Sequence, residues 1–242
     1  MKRFLITFHT LLSLLHIAAA ETLYVASATS LKPTVDTIIN SFTTKYPFLK
    51  IKVSYGSSGQ LYYQIRNGAP FDVFLSADRS YVENLIRAGE GIHESITVFA
   101  KGKLALFSKD KFKNIYESIK NAKKVAVANP KFAPYGRTAI ELLHNLGLYE
   151  SLKNRLVFGA NVSQAAHFVT SGGAEVGIVA LSLARHYEKG FYREIPPRFY
   201  TPIKHVAVIT TKGKDKKGSW MFIKFLKTER SRKILSYFGF ES

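Results

Sequence analysis

Two short hydroxyl-bearing segments carry the chemistry of this chain. They are Ala28-Thr29-Ser30 and Gly56-Ser57-Ser58-Gly59. Each follows a strand pattern and opens a helix pattern. A helix N-terminus carries roughly half a positive charge and about four N–H groups without intrahelical partners. Hydroxyls placed there complete a site for an anion. Two further segments have the same placement, Asn129 to Gly136 with the Tyr135 phenol, and Asn161-Val162-Ser163. Ser, Thr and Asn also serve as plain helix caps. Four such loops, two from each half of the chain and all on the carboxyl side of strands, point beyond capping to capture of an oxyanion.

None of the four loops contains Asp or Glu. Neutral donors and fixed dipoles can hold a dianion in a dry cleft without lysine or arginine. Phosphate near neutral pH keeps a proton and wants an acceptor. A donor-only site therefore favours a fully ionised oxyanion, because a mismatched proton leaves a buried group unpaired at about 1–3 kcal/mol.

Other chemistries have less support. Gly56-Ser57-Ser58-Gly59 is one residue short of the G-x-S-x-G nucleophile elbow. A serine hydrolase using Ser57 or Ser58, with one of His93, His144, His167, His186 or His205, remains a reading of another class. No histidine pair has metal-ligand spacing, and there is no cysteine, which argues against zinc. Neither a G-x-x-x-x-G-K-[ST] nor a G-x-G-x-x-G loop occurs, so nucleotide binding finds no support and no cofactor is expected.

The elements that must position these loops alternate along the chain. Residues 22–26 form a short apolar strand. Val35, Ile38, Ile39 and Phe42 recur at helical spacing, with Pro33 early and Tyr46-Pro47 as the stop. Leu49, Ile51, Val53 and Tyr55 alternate with polar residues as in a strand. A helix from about Gln60 ends at Asn67-Gly68, residues 71–76 make the next strand, and Tyr81, Leu85 and Ile86 mark the next helix. Strands at 96–100 and 104–108 flank Lys101-Gly102-Lys103, and the pattern then restarts. Strands are expected at 125–128, 156–158 and 176–180, with Ala139, Leu142, Leu143 and Leu146 on one helix and residues 165–169 on another. A last strand at 206–210 leads into two helices, carrying Trp220 and Ile223, then Ile234 and Leu235.

Such alternation predicts an α/β fold of two lobes, each a mostly parallel sheet flanked by helices. The expected boundaries are 21–100 with 206–242 for the first lobe and 101–205 for the second. Two crossings make a hinge, and ligands of open α/β sheets sit at the carboxyl ends of the strands.

Residues 1–20 read as a signal peptide: Lys2 and Arg3, an apolar run from 4 to 17, then Ala18-Ala19-Ala20. The run is short for a membrane span. Its removal leaves about 220 residues, enough for one large or two small domains that bury cores without disulfides. The composition is basic, with 35 Lys+Arg against 17 Asp+Glu. The lysines are spread along the chain, and the dense cluster from Lys212 to Lys217 lacks interleaved aromatics. It reads as a solvated loop rather than a nucleic-acid patch. The overall positive field attracts small anions.

Three stretches together resemble the periplasmic molybdate-binding proteins of ABC importers. They are Val25-Ala26-Ser27-Ala28-Thr29-Ser30-Leu31-Lys32-Pro33, Tyr55-Gly56-Ser57-Ser58-Gly59-Gln60-Leu61, and Gly68-Ala69-Pro70-Phe71-Asp72-Val73-Phe74-Leu75-Ser76-Ala77-Asp78. The resemblance continues in Asn129-Pro130, Ala133-Pro134-Tyr135-Gly136, Gly177-Ile178-Val179-Ala180-Leu181-Ser182 and Tyr237-Phe238-Gly239-Phe240, in order over the mature chain.

The resemblance implies a type 2 periplasmic binding fold that closes on tetrahedral molybdate or tungstate. It places the oxyanion contacts on Thr29, Ser30, Ser58, Tyr135 and the backbone of Val162. The chain departs from the pattern at Ser30, where Asn is common, and at Ala180, where some members have a ligand tyrosine. The signal peptide and the absence of a cysteine for lipid attachment point to a freely soluble periplasmic protein, and the absence of a large apolar stretch to a monomer. The resemblance implies an inner-membrane permease and its ATPase subunit as partners and no direct protein ligand to the metal. Sulfate is the alternative ligand, since it too is a dianion without a proton. A regulator with a similar effector domain is opposed by the signal peptide and the lack of a helix-turn-helix segment.

Overall fold

The computed structural model describes residues 21–242. The expected signal peptide lies outside the described residues. Strand β1 (Glu21–Ala28) runs into a 3-10 turn (Thr29–Leu31) and helix α1 (Lys32–Lys45). Val35, Ile38 and Phe42 make the buried stripe of α1, and Phe42 meets Phe222 and Phe225 edge-on at 5.2 Å. Strand β2 (Leu49–Gly56), helix α2 (Ser58–Arg66), strand β3 (Val73–Ser76) and helix α3 (Arg79–Arg87) follow. Then come β4 (Thr97–Gly102) and β5 (Leu104–Ser108), with Lys103 alone between them.

The second half begins with α4 (Ile115–Asn121), β6 (Val125–Ala128), α5 (Pro134–Asn145) and the short α6 (Tyr149–Leu152). It continues through β7 (Leu156–Gly159), α7 (Val162–Thr170), β8 (Val176–Ala180), α8 (Leu181–His186) and β9 (Phe191–Glu194). Strand β10 (Ile203–Ile209) and helices α9 (Lys217–Leu226) and α10 (Glu229–Tyr237) finish the chain.

The strands form two five-stranded sheets, ordered β2-β1-β3-β10-β4 and β7-β6-β8-β5-β9. The orders mirror each other. In each sheet three strands are parallel, second-first-third in chain order. The fourth strand is antiparallel to its neighbours, β10 in one sheet and β5 in the other. Both are crossing strands, so each sheet is completed by chain arriving from the other. The two lobes of the expected binding fold are present, with the parallel portion of each sheet confined to three strands.

A different reading of the lysine cluster is required at one position. Lys216 Nζ lies 2.8 Å from Asp72 Oδ2 and 3.0 Å from the Thr22 carbonyl, and the Asp72 side chain is only 2% exposed. Gly213 also packs on the Asp72 backbone, where an added Cβ would sit 2.3 Å from the Asp72 carbonyl oxygen. A buried carboxylate needs a partner, and this turn supplies it.

Candidate functional site

The chain leaves β1 for β2 on one side and for β3 on the other, and the second sheet repeats this at β6. Such switch points open a crevice at the carboxyl ends of the strands. The two crevices face each other across one small cavity. The first lobe lines it with Ala28, Thr29 and Ser30 after β1, Gly56, Ser57 and Ser58 after β2, and Ala77 after β3. The second lobe adds Ala133, Pro134 and Tyr135 after β6, and Val162 after β7. All five sequence-predicted site residues therefore meet on one wall set. The Ala180 position does not line the cavity; it is fully buried at the end of β8.

Every lining residue is uncharged. The cavity leaves about 10 Å³ for the centre of a water-sized sphere. That is about the room one small solute needs, far below the several hundred Å³ of sites for drug-sized ligands.

The donors are prepared locally. Ser57 caps α2 in a capping box: the Gln60 N–H reaches Ser57 Oγ, and Ser57 N–H and Oγ–H both reach Gln60 Oε1. The Ser57 hydroxyl is thus consumed by the helix. Ser58 differs. Its buried Oγ accepts the Ala77 N–H at 2.9 Å, which leaves its own proton free to donate. The Gly59 N–H crosses the cleft to the Phe132 carbonyl at 2.9 Å. Of the first-turn N–H groups of α2, that of Ser58 is left over for a guest.

The second lobe offers backbone more than side chains. Helix α5 starts at Pro134 behind Ala133, with no side-chain cap. Asn161 caps α7 by accepting the Gln164 N–H at 3.0 Å. Those arrangements leave the early N–H groups of Tyr135 and Val162 at the cavity wall.

No local sequence pattern marks the residues packed behind the cavity wall. Ser30 Oγ lies 3.1 Å from His205 Nε2, across 175 positions of chain. His205 is fully buried, and burial pushes its pKa down to about 3, so the ring is neutral. Tyr135 is 2% exposed, and burial raises its pKa well above the ordinary value; its Oη lies beside the Ser30 hydroxyl, though outside strict hydrogen-bond geometry, and that contact acts in the opposite direction. Gly102 makes room for both rings: a Cβ there would lie 2.1 Å from Tyr135 Oη and 2.7 Å from His205 Cε1.

The lobes also touch directly. Ser182 Oγ–H donates to the Ser30 carbonyl at 2.6 Å, Ser163 Oγ–H to the Thr29 carbonyl at 3.5 Å, and Arg137 pairs with Asp78 at the cleft edge.

Comparison with known proteins agrees with this geometry. Residues 23–241 match the family described as bacterial extracellular solute-binding protein. The molybdate-binding protein ModA of Azotobacter vinelandii is 40% identical over 198 residues, covering 79% of this chain and 79% of that protein. ModA of Rhodobacter capsulatus is 36% identical over 226 residues, covering 92% and 89%. In structure, the chain is similar to the Azotobacter vinelandii periplasmic molybdate-binding protein, with a TM-score of 0.83 at 32% identity, covering 91% of this chain and 99% of that one.

Proposed function

The chain belongs to the bacterial extracellular solute-binding proteins, and we propose that it captures molybdate or tungstate between its lobes and delivers the ion to an ABC permease. The observation that carries this reading is the cavity itself: two lobes converge on a compact, uncharged, donor-lined space. Thr29, Ser30, Ser58 and Tyr135 donate from side chains, and Ser58, Tyr135 and Val162 from the backbone. The ion bridges both lobes, and its differential affinity for the closed state is what shifts the population toward closure. The closed form then docks on the permease through charged surface of both lobes. On this reading the protein works as a periplasmic monomer after loss of its signal peptide.

Sulfate satisfies the same donor logic and stays as the second ligand to test. The hydrolase reading has a local counter-argument. Ser57 is spent on its helix cap, and Ser58 accepts a backbone N–H. The histidine that does meet a serine, His205 at Ser30, has no hydrogen-bond partner on Nδ1 to orient it as a base. A ring held neutral down to about pH 3 is a poor proton acceptor.

A thermal-shift panel with molybdate, tungstate, sulfate and phosphate tests the reading. At about 100 times its dissociation constant a ligand stabilises by roughly 2.7 kcal/mol, several degrees in melting temperature. Shifts with molybdate and tungstate alone support the proposal. A shift with sulfate instead replaces the ligand, and no shift with any ion sinks the site.

A further inference from the structure

At one edge of the cavity the start of α2 meets the turn between β6 and α5. The meeting point is Gly59, buried beside Ser58 in the first turn of α2. Its N–H donates to the Phe132 carbonyl of the other lobe at 2.9 Å. Helix α2 thus takes the acceptor for one of its first-turn N–H groups from across the cleft.

Both sides of this contact are braced. The entry of α2 is fixed by the Ser57–Gln60 capping box. The turn is fixed by Asn129, whose carbonyl accepts the Phe132 and Ala133 N–H groups at 3.2 and 2.9 Å. Asn129 Oδ1 accepts the Lys131 N–H at 3.0 Å, and the Asn129 N–H is held by the Gly159 carbonyl at 2.7 Å.

Gly59 lies in helical backbone and is not one of the left-handed glycines, so its conformation does not call for glycine. The approach of the other lobe does. A Cβ at Gly59 would lie 2.8 Å from the Phe132 carbonyl oxygen and 3.0 Å from the Phe132 Cα. Those are backbone atoms of a braced turn. It would also lie 2.6 Å from Tyr81 Oη, but that is the far end of a side chain, which can turn aside. The side-chain contact here is looser: the Phe132 ring meets the exposed Tyr63 ring at 6.3 Å.

We infer that Gly59 is a positioning residue of the anion site, the stop at which the two lobes meet. Its missing side chain lets the Phe132 turn come close enough for Tyr135 and Val162 to share an ion with Ser58. Tyr135 is three residues beyond Phe132, so where the turn halts, that wall of the cavity halts with it. This role rests on the oxyanion reading of the cavity.

The test is equilibrium and stopped-flow binding of molybdate to the parent protein, Gly59→Ala, Tyr81→Phe, the double variant Gly59→Ala/Tyr81→Phe, and Phe132→Ala. Melting temperatures without ligand are recorded for each. Hydrogen exchange at the Gly59 amide of the parent is followed with and without molybdate. Gly59→Ala should bind about tenfold to a hundredfold more weakly, through faster release. Its melting temperature without ligand should be equal or higher, since alanine is the better helix former. The double variant should bind as weakly as Gly59→Ala, because the phenol is not what blocks the approach. Phe132→Ala keeps the carbonyl and should stay within about threefold of the parent. Molybdate should slow exchange at Gly59 by about tenfold or more, because the acceptor arrives with the other lobe.

Unchanged binding in Gly59→Ala, full rescue by Tyr81→Phe, a loss in Phe132→Ala as large as in Gly59→Ala, or a lowered melting temperature of unliganded Gly59→Ala would each overturn the role. So would exchange at Gly59 that is the same with and without molybdate, a result that stands even where a variant fails to fold. A parent that binds no molybdate overturns the reading of the cavity and this role with it; a parent that binds while Gly59→Ala matches it overturns the role alone.

Discussion

The two lobes share one topology but equip their loops differently. In the first, the donors are hydroxyls, and each is braced from within: Ser58 by the Ala77 N–H, Ser30 by His205, and the α2 entry by the Ser57–Gln60 capping box. In the second, the loop after β6 has no side-chain cap, and the contribution of Val162 is backbone. On the proposed site, one lobe is thus a half-site built mostly from side-chain hydroxyls. The other would add the Tyr135 phenol and the peptide groups of Tyr135 and Val162. Side-chain donors can be lost one atom at a time; backbone donors are lost only when a helix start is moved.

The largest test of that contrast is acid, because the first lobe's brace contains a histidine buried as the neutral ring. Above pH about 6.5 the ring is neutral in both folded and unfolded chains, and its contribution to stability is fully present. Below that, the unfolded chain takes up a proton that the folded one refuses until about pH 3. Stability should then fall by about 1.4 kcal/mol per pH unit, roughly 4 kcal/mol by pH 3.5. Denaturant midpoints at pH 7 and pH 4 should show this slope in the parent and a flatter one in His205→Gln; equal slopes would remove the ring from the balance.

Next in size is Ser58→Ala. It deletes a donor to the ion and orphans the Ala77 N–H, for about 3 kcal/mol or 100-fold in molybdate affinity by calorimetry. Gly102→Ala should follow, with a loss of roughly tenfold or more, because its Cβ would collide with Tyr135 Oη at 2.1 Å. A crystal structure of that variant should show both rings displaced. Arg137→Ala removes the pair with Asp78 at the cleft edge, and two- to fivefold weaker binding that shrinks further at high salt is expected for so exposed a pair. The smallest effect should come from Val162→Ala, within about twofold, since the N–H remains. A large loss there would erase the distinction between the two half-sites.

Much of this was legible in the sequence because it is local. The loops at Thr29, Ser58, Tyr135 and Val162 announce themselves by strand-to-helix transitions and small polar residues, and all of them reach the cavity wall. Helix α8 was missed because six residues give too few turns for a periodic signal. Strand β9 was missed because its four residues are all exposed and do not alternate. The contacts of Ser30 with His205 and of Gly102 with Tyr135 span 175 and 33 positions, and no local pattern encodes them. The lysine cluster shows the same limit. In the sequence its charge reads as solvated, while Lys216 folds back over 144 positions to pair with Asp72.

The mirrored sheets carry a consequence for how the chain folds. Strand β4 pairs within its sheet only with β10, about a hundred residues further along. The parallel strands β1, β2 and β3 can assemble early, but β4 must wait as an unpaired segment until β10 arrives. The second sheet has a shorter wait, since β5 meets its first partner, β8, about seventy residues on, and β9 follows directly after β8 and α8. The first lobe therefore begins first and finishes last, and its closure by β10 is the long-range step that should set the folding rate.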